Sequence, residues 1–370
     1  IEQSHAIFEQ EAMEAYTTEI LSVTNTAPGE FPVVNLRVFN PLTGEDYDIF
    51  NDPVWTQSRS RLRVQLAWST TDITNTGNLR EDANAVRLDV LDTGEINGDG
   101  SYRVVSETAI PDRSQAPGVA ATGSGVAVTE GRARLPDPDD PEDQVSVPVD
   151  NFHSFFSIDE PDGGAVPRRD IVSIEQCQSC HVSVAFHGGS RNNNINNCVT
   201  CHNPRNTDRD ERADLEEPPE DGLAEQSIHF KVMIHGIHAA GVREEPYQVG
   251  AEVYDDSAVK YPGDISNCAG CHDGDTYTLP LPSVALGTTL GTGEDLEDPA
   301  DDVVATPATA TCSNCHDGDV ATAHMTSNGG SFSTTQQAID DGQVVEQCEL
   351  CHGSGKSADV SVVHDVRELP

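Results

Sequence analysis

The chain has 370 residues, enough for two domains that each bury a core of their own. Its 63 acidic against 21 basic side chains leave a formal charge of −42, which repels nucleic acid and anionic membrane surfaces and suits cationic or metal-bearing partners. No apolar run approaches the ~18 residues of a transmembrane segment, and the ten cysteines leave disulfides, zinc or another cofactor to be decided by spacing.

Residues 2–16, "EQSHAIFEQEAMEAY", have helical propensity and read as part of an N-terminal arm over 1–20. Residues 21–165 contain no cysteine and read as a β domain. In "RLRVQLAW" (61–68) the alternation puts Leu62, Val64, Leu66 and Trp68 on one face. "AVRLDV", "SYRVVSE", "GVAVTEGRARL" and "QVSVPV" repeat the two-residue period between Gly, Asp, Asn and Pro turns. Short strands spaced in this way predict a sandwich or Greek-key barrel. "INGDGSY" (96–102) lacks the spacing of a calcium loop and reads as a hairpin turn. Acidic runs at 136–144, 208–221 and 293–302 read as solvated loops.

Near residue 166 the character changes, and residues 166–370 form the second expected domain. All ten cysteines lie here as five pairs, each followed at once by histidine: "CQSCH" (177–181), "CVTCH" (198–202), "CAGCH" (268–272), "CSNCH" (312–316) and "CELCH" (348–352). With 13 histidines in 370 residues, chance puts one after a given residue about once in thirty, so five of five are a signal. C-x-x-C-H is the attachment string of c-type haem. Two thiols on one helical turn reach the two vinyl groups as thioethers, and the adjacent imidazole binds iron. The cysteines are therefore Cys177, Cys180, Cys198, Cys201, Cys268, Cys271, Cys312, Cys315, Cys348 and Cys351, and the proximal ligands His181, His202, His272, His316 and His352. Zinc ribbons need no following His and need their pairs in fours, which ten cysteines cannot complete.

Each iron has a sixth position to fill. Only Met13, Met233 and Met325 could serve as thioether ligands, whereas eight histidines stand outside the motifs: His5, His153, His187, His229, His235, His238, His324 and His364. Bis-histidine ligation throughout is the economical solution. In "FKVMIHGIH" (230–238), His235 and His238 are three residues apart among apolar neighbours and are expected to serve two different irons. His187, His324 and His364, all within the haem-bearing half, are the expected remainder, with His229 able to replace one of them. His153 reads as a structural imidazole and His5 as a terminal one. Aliphatic residues are sparse in this half, so the five haem c groups must supply much of its core, coupling folding to cofactor attachment.

The segments "RRDIVSIEQCQSCH", "HGGSRNNNINNCVTCHNP", "FKVMIHGIHAAG", "AHMTSNGGSF" and "CHGSGKSADVSVVH" resemble the pentahaem module of the outer-membrane OmcA/MtrC family of multihaem cytochromes. "NPLTGEDYDI", "RLRVQLAWSTTDITNTG" and "VAVTEGRA" are similar to the split β-barrel that precedes the haems in that family. The resemblance implies a mainly β N-terminal domain and a cofactor-packed, loop-rich, partly α pentahaem domain. It also implies extracellular electron transfer to minerals, soluble metals, flavins or partner cytochromes, with His187, His235, His238, His324 and His364 as the distal set. Family members commonly carry two such units and a lipid-bearing N-terminal Cys. Here a single unit is present and every Cys is in a haem motif, so an exported chain at or beyond the outer cell surface, with no lipid anchor and no transmembrane segment, is expected. Expected partners are other multihaem cytochromes or copies of this chain, the latter in a filament joined through the arm and His5. The alternative is a pentahaem reductase with an open iron, of the nitrite-reductase kind. Such enzymes typically replace one motif His with Lys, whereas all five motifs here keep His. Any reduction of metals is then expected to be outer-sphere.

Overall fold

A computed structural model describes residues 12–68, 85–112, 121–140, 142–158, 160, 164–294 and 300–367. His5 and most of the expected arm lie outside these residues. The chain divides into two compact units. One runs through Arg169 and includes Ile174–Cys201; the other comprises Asp170–Ser173 and His202 onward. By packing, the strand-built unit takes in the first C-x-x-C-H motif and both thiols of the second.

The first unit is antiparallel β. One sheet has the order β1 (Thr17–Thr24), β2 (Val33–Phe39), β6 (Tyr102–Val105), β5 (Glu95–Ile96). The other runs β4 (Val86–Asp89), β3 (Arg61–Trp68), β7 (Ser124–Pro136), β8 (Gln144–Pro148), with β9 (His153–Ser157) also on β7. Two single turns, α1 (Pro53–Thr56) and α2 (Val90–Thr93), connect strands. The sheets enclose one apolar cluster that includes Leu36, Val38, Leu62, Leu66, Trp68, Tyr102 and Val147. Among the described residues the ladder does not close into a barrel. The sheets meet where Thr17 bridges Asp150 and the Thr18 and Thr129 hydroxyls lie 2.6 Å apart. The arm expected over 1–20 gives way at Thr17 to β1, and Tyr16 is buried in the core.

Sequence alternation marks β3, β4, β6, β7 and β8, and β2 alternates as well, with Val34, Leu36 and Val38 buried between Asn35 and Arg37. Leu62, Val64, Leu66 and Trp68 are all fully buried, as their shared face requires. Gln65 and Ala67, on the opposite face, are also fully buried. Two further helices of this unit, α3 (Ile174–Gln178) and α4 (Ile195–Cys201), carry its haem motifs, and α4 covers that second face. There the Thr200 hydroxyl donates to Gln65 Oε1 at 3.0 Å, and Ala67 packs in a cluster with Val126, Val128 and Cys201. The ribbon β10 (Ala185–Phe186) with β11 (Arg191–Asn192) links the two helices. Gly125 on β7 is obligatory by space, because a Cβ there would lie 2.3 Å from the Phe156 ring.

The second unit has a different interior. Its helices are short: α5 (Arg209–Ala213), α6 (Phe230–His238), α7 (Thr309–Cys312), α8 (Asp319–Ser327), α9 (Gln336–Asp340), α10 (Glu349–His352) and α11 (Val360–Val363). Two small hairpins accompany them, β12 (Tyr247–Val249) with β13 (Glu252–Tyr254) and β14 (Thr288–Gly291) with β15 (Val303–Ala305). Both apolar clusters of the described residues belong to the first unit. The second instead buries polar groups. Arg212 donates to Asp208 at 2.7 Å and to Asp221 at 2.6 and 2.8 Å, and Asp208 also accepts from the Gln226 and Gly250 amides. No helix of the described residues is long and apolar enough to cross a membrane.

Where the first unit receives α4, a buried carboxylate holds the layers together. Glu130 accepts from Arg191 Nε at 2.9 Å and from Gln65 Nε2 at 2.6 Å, with Arg63 Nη1 3.7 Å away. Burial alone would raise its pKa, but Arg191 and these hydrogen bonds outweigh burial and hold it below the ordinary 4.5. A folded-state value below the unfolded one adds stability above the unfolded pKa, and that stability is lost as pH falls through the folded value. Glu130→Ala should therefore cost about 3–5 kcal/mol in denaturant unfolding at neutral pH, because it strands Arg191. The gap between wild type and Glu130→Gln should be full above the carboxyl's ordinary pKa and shrink as the pH drops below it. A gap independent of pH would show that the carboxylate's charge contributes nothing.

Candidate haem sites

Each motif presents its thiols as the attachment chemistry needs. In four of the five, the motif His amide donates to the carbonyl of the first Cys: His181 to Cys177, His272 to Cys268 and His316 to Cys312 at 2.9 Å, and His352 to Cys348 at 2.8 Å. The second Cys amide donates to the same carbonyl at 3.1–3.2 Å. Both thiols thus sit on one tight turn with the imidazole just beyond. The remaining pair, Cys198 and Cys201, lies on α4. None of the ten cysteines is in a disulfide, and the donor set of five Cys pairs with thirteen His fits haem c.

Three motif imidazoles already face a second one. Ring centres are 6.1 Å apart for His272 and His235, 5.9 Å for His316 and His364, and 6.1 Å for His352 and His324. Two metal–imidazole bonds of about 2 Å each, with a ring radius added at either end, separate ring centres by about 6 Å. Each pair joins one motif His to one histidine of the expected distal set. The ring planes differ by 17°, 57° and 85° respectively. Large apolar side chains flank these pairs at the surface: Val320 is 87% exposed, Leu350 64% and Val362 72%. Such groups belong against an apolar face.

Hydrogen bonds set which ring nitrogen is available. His238 Nδ1 lies 2.8 Å from the Ile234 carbonyl, His364 Nδ1 3.0 Å from that of Val360, His202 Nδ1 2.9 Å from that of Ile228 and His352 Nδ1 3.0 Å from that of Ala358. A proton held on Nδ1 by a carbonyl leaves Nε2 as the lone-pair nitrogen, the arrangement a metal-binding imidazole requires. For His272 the partner is the Thr276 hydroxyl at 3.1 Å. His235 has the Lys231 carbonyl in the corresponding place, outside hydrogen-bonding geometry. Burial, then His272, pushes it down to about 4 and keeps it neutral.

The other histidines differ. Both nitrogens of His153 face side-chain amides, Asn194 at 3.2 Å and Asn196 at 3.1 Å. His229 is buried with Nδ1 2.8 Å from the Thr288 hydroxyl, and it precedes α6 as its N-terminal flanking residue. His187 lies in the left-handed region, φ +55°, on the exposed turn between β10 and β11. His238 borders a cavity of about 320 Å3 whose other walls include Val242, Tyr261 and Ile265.

Two residues outside the motifs brace the segments that carry these histidines and cysteines, and no sequence signal marked either. Glu346, two residues before Cys348, accepts from the Ala308 and Thr309 amides at 2.8 and 2.7 Å and from the Thr306 and Thr309 hydroxyls at 2.7 Å. It thereby ties the start of α7, which carries Cys312, to the fifth motif. Tyr247 is buried, donates to the Ser227 carbonyl at 2.8 Å and lies flat against Gly236. A Cβ on Gly236 would stand 2.7 Å from that ring, which explains the glycine between His235 and His238. Gly236→Ala should force α6 away from Tyr247 and perturb both imidazoles, read as altered visible spectra of two haems in the purified protein. An unchanged spectrum would show that the contact does not position the ligands.

The model of the outer membrane cytochrome MtrC/MtrF-like family, domains II/IV, matches residues 169–365. The crystal structure of the outer membrane decaheme cytochrome OmcA superposes with a TM-score of 0.60 at 15% identity, covering 98% of this chain and 50% of that one. MtrC from Shewanella baltica OS185 gives 0.58 at 15% identity, covering 94% and 53%. The chain spans about half the length of these solved structures, and at this identity they speak for the fold. No curated sequence relative matches. With its motif-bearing region matched from residue 169 to 365, the chain belongs to the MtrC/MtrF-like outer membrane cytochrome family.

Proposed function

We propose that residues 166–370 bind five haem c groups through the ten motif cysteines, each iron held by two imidazoles, and that the chain conducts electrons outside the cell. The observation that carries this reading is the set of three motif-to-distal histidine pairs at 5.9–6.1 Å. In them, His235, His324 and His364 complete the irons of His272, His352 and His316, and His181 and His202 take His187 and His238. When bound, haem supplies reversible one-electron chemistry. The protein's part is to hold two neutral imidazoles on each iron, so that no substrate enters the coordination sphere. Paired imidazoles without a methionine ligand favour low potentials. Electrons pass outer-sphere to minerals, soluble metals, flavins or partner cytochromes at the outer cell surface, and the strongly acidic surface suits cationic acceptors.

The purified ferric protein should contain five low-spin haems and bind neither cyanide nor nitrite stoichiometrically. A high-spin signal from one haem in five would revive the reductase reading. Electron paramagnetic resonance should resolve the ring-plane angles. Near-parallel planes at His235 and His272 give a rhombic signal, and near-perpendicular planes at His324 and His352 a strongly anisotropic one with a large principal g value. His324→Ala should remove the second signal and leave the first; loss of the wrong signal would refute the pairing.

His235→Ala and His238→Ala should each open one haem while all five stay attached, since attachment uses only the motif residues. The double variant should open two. A double variant with one altered haem would mean that these imidazoles do not serve separate irons.

A further inference from the structure

In a chain with 63 acidic side chains, four of the 21 basic ones converge on one cavity of the β unit. Arg61 and Arg63 are two apart on β3 and share a face, and Arg132 on β7 stands directly opposite Arg61 in the ladder. Like charges in directly opposed positions of a sheet destabilise it. Arg59 joins them from the preceding turn, where it adopts φ +72° and its carbonyl accepts from Arg132 Nε at 2.8 Å. Arg63 is matched by Asp89 at 2.9 Å. Among the described residues Arg61 and Arg132 have no carboxylate within ion-pair distance. Arg61 donates to the Ser190 hydroxyl at 3.3 Å, and Arg132 to the carbonyls of Arg59 and Gly188. Burial, then the neighbouring guanidiniums, pushes both below the ordinary arginine pKa.

The cavity these arginines line measures about 400 Å3, within the range of small-molecule sites. Phe50, Trp55 and Leu91 add apolar side chains to its lining, and Asp89 and Asp92 its carboxylates. Trp55 is 2% exposed, and its indole N–H is buried without an acceptor, a condition rare for a buried donor. Four arginines against two carboxylates, Asp89 and Asp92, with Arg61 and Arg132 in no ion pair among the described residues, together with an unmet indole donor and apolar side chains, describe a site for a small anion with an apolar body. Guanidinium forks match phosphate and carboxylate oxygens in pairs.

We infer that this cavity of the β unit binds a small-molecule oxyanion, a phosphate monoester or a carboxylate bearing an apolar group, through Arg61 and Arg132 and against Trp55. The site borders the turn of His187, since Arg132 donates to the Gly188 carbonyl and the Ser190 hydroxyl donates to that of His187 at 3.0 Å. Calorimetry on the full haem-loaded protein with phenyl phosphate, benzoate and inorganic phosphate tests it. At least one of the first two should bind, more tightly than inorganic phosphate, and the tighter of them identifies the head group. Arg61→Gln and Arg132→Gln should each weaken binding at least about tenfold, as expected for the loss of a charge-assisted hydrogen bond, while Arg103→Gln, on the exposed pair with Glu95, should not. The bound anion should also raise the thermal midpoint of the wild type and raise that of Arg132→Gln less at the same probe concentration. Absence of binding by all three probes, or binding that survives both substitutions, overturns the assignment. Equal affinity for phosphate and phenyl phosphate overturns the role of the apolar side chains.

Discussion

An imidazole can hold a metal only if it is neutral and offers one nitrogen while its proton is secured on the other. Much of the second unit serves that condition. His238 and His364 satisfy it with the carbonyl four residues back, at Ile234 and Val360, so a short helix is itself the device. His202 and His352 reach carbonyls on other segments, Ile228 and Ala358, so loop paths that look irregular are constrained by a single ring nitrogen.

The same condition accounts for the unit's unusual interior. Short helices with few buried aliphatic residues cannot stabilise one another by apolar contact alone. What ties them together among the protein's own atoms is polar: Arg212 between Asp208 and Asp221, and Glu346 across the start of α7. Arg243 adds a further tie to Asp317 and the Asn314 carbonyl. Large apolar side chains such as Val320 and Val362 remain outside beside the histidine pairs. A bound macrocycle at each pair would cover them, which joins folding to cofactor attachment.

The first unit has the opposite economy. Its two sheets enclose an ordinary apolar core, and its polar interest is confined to two places. At one, Glu130, Gln65 and Arg191 seat α4 with its thiols on the sheet. At the other, arginines are gathered rather than dispersed, against the electrostatic grain of a chain of charge −42. The repeated "CHDGD" illustrates how local sequence yields different roles. Asp317 accepts the Glu244 and Glu245 amides at 3.0 Å and braces a distant loop, whereas the Asp273 amide donates to Ile171.

The five C-x-x-C-H strings were legible from the chain alone, because two thiols and an imidazole that share one turn form a contiguous string. Strands such as β3 were legible for a related reason: a half-buried ladder imposes a two-residue period over consecutive residues. Covering by α4 buried Gln65 and Ala67 as well, and no period in 61–68 could announce a helix arriving from residue 195. The sequence likewise offered eight spare histidines without partners. Which distal imidazole stands 6 Å from which motif imidazole depends on contacts between residues that are not neighbours in sequence, such as Gly236 under Tyr247 or Glu346 on Thr309. Convergence of Arg61 and Arg132 is of the same kind, since a strand register pairs residues that the sequence holds 71 positions apart, and only the folded ladder makes them neighbours.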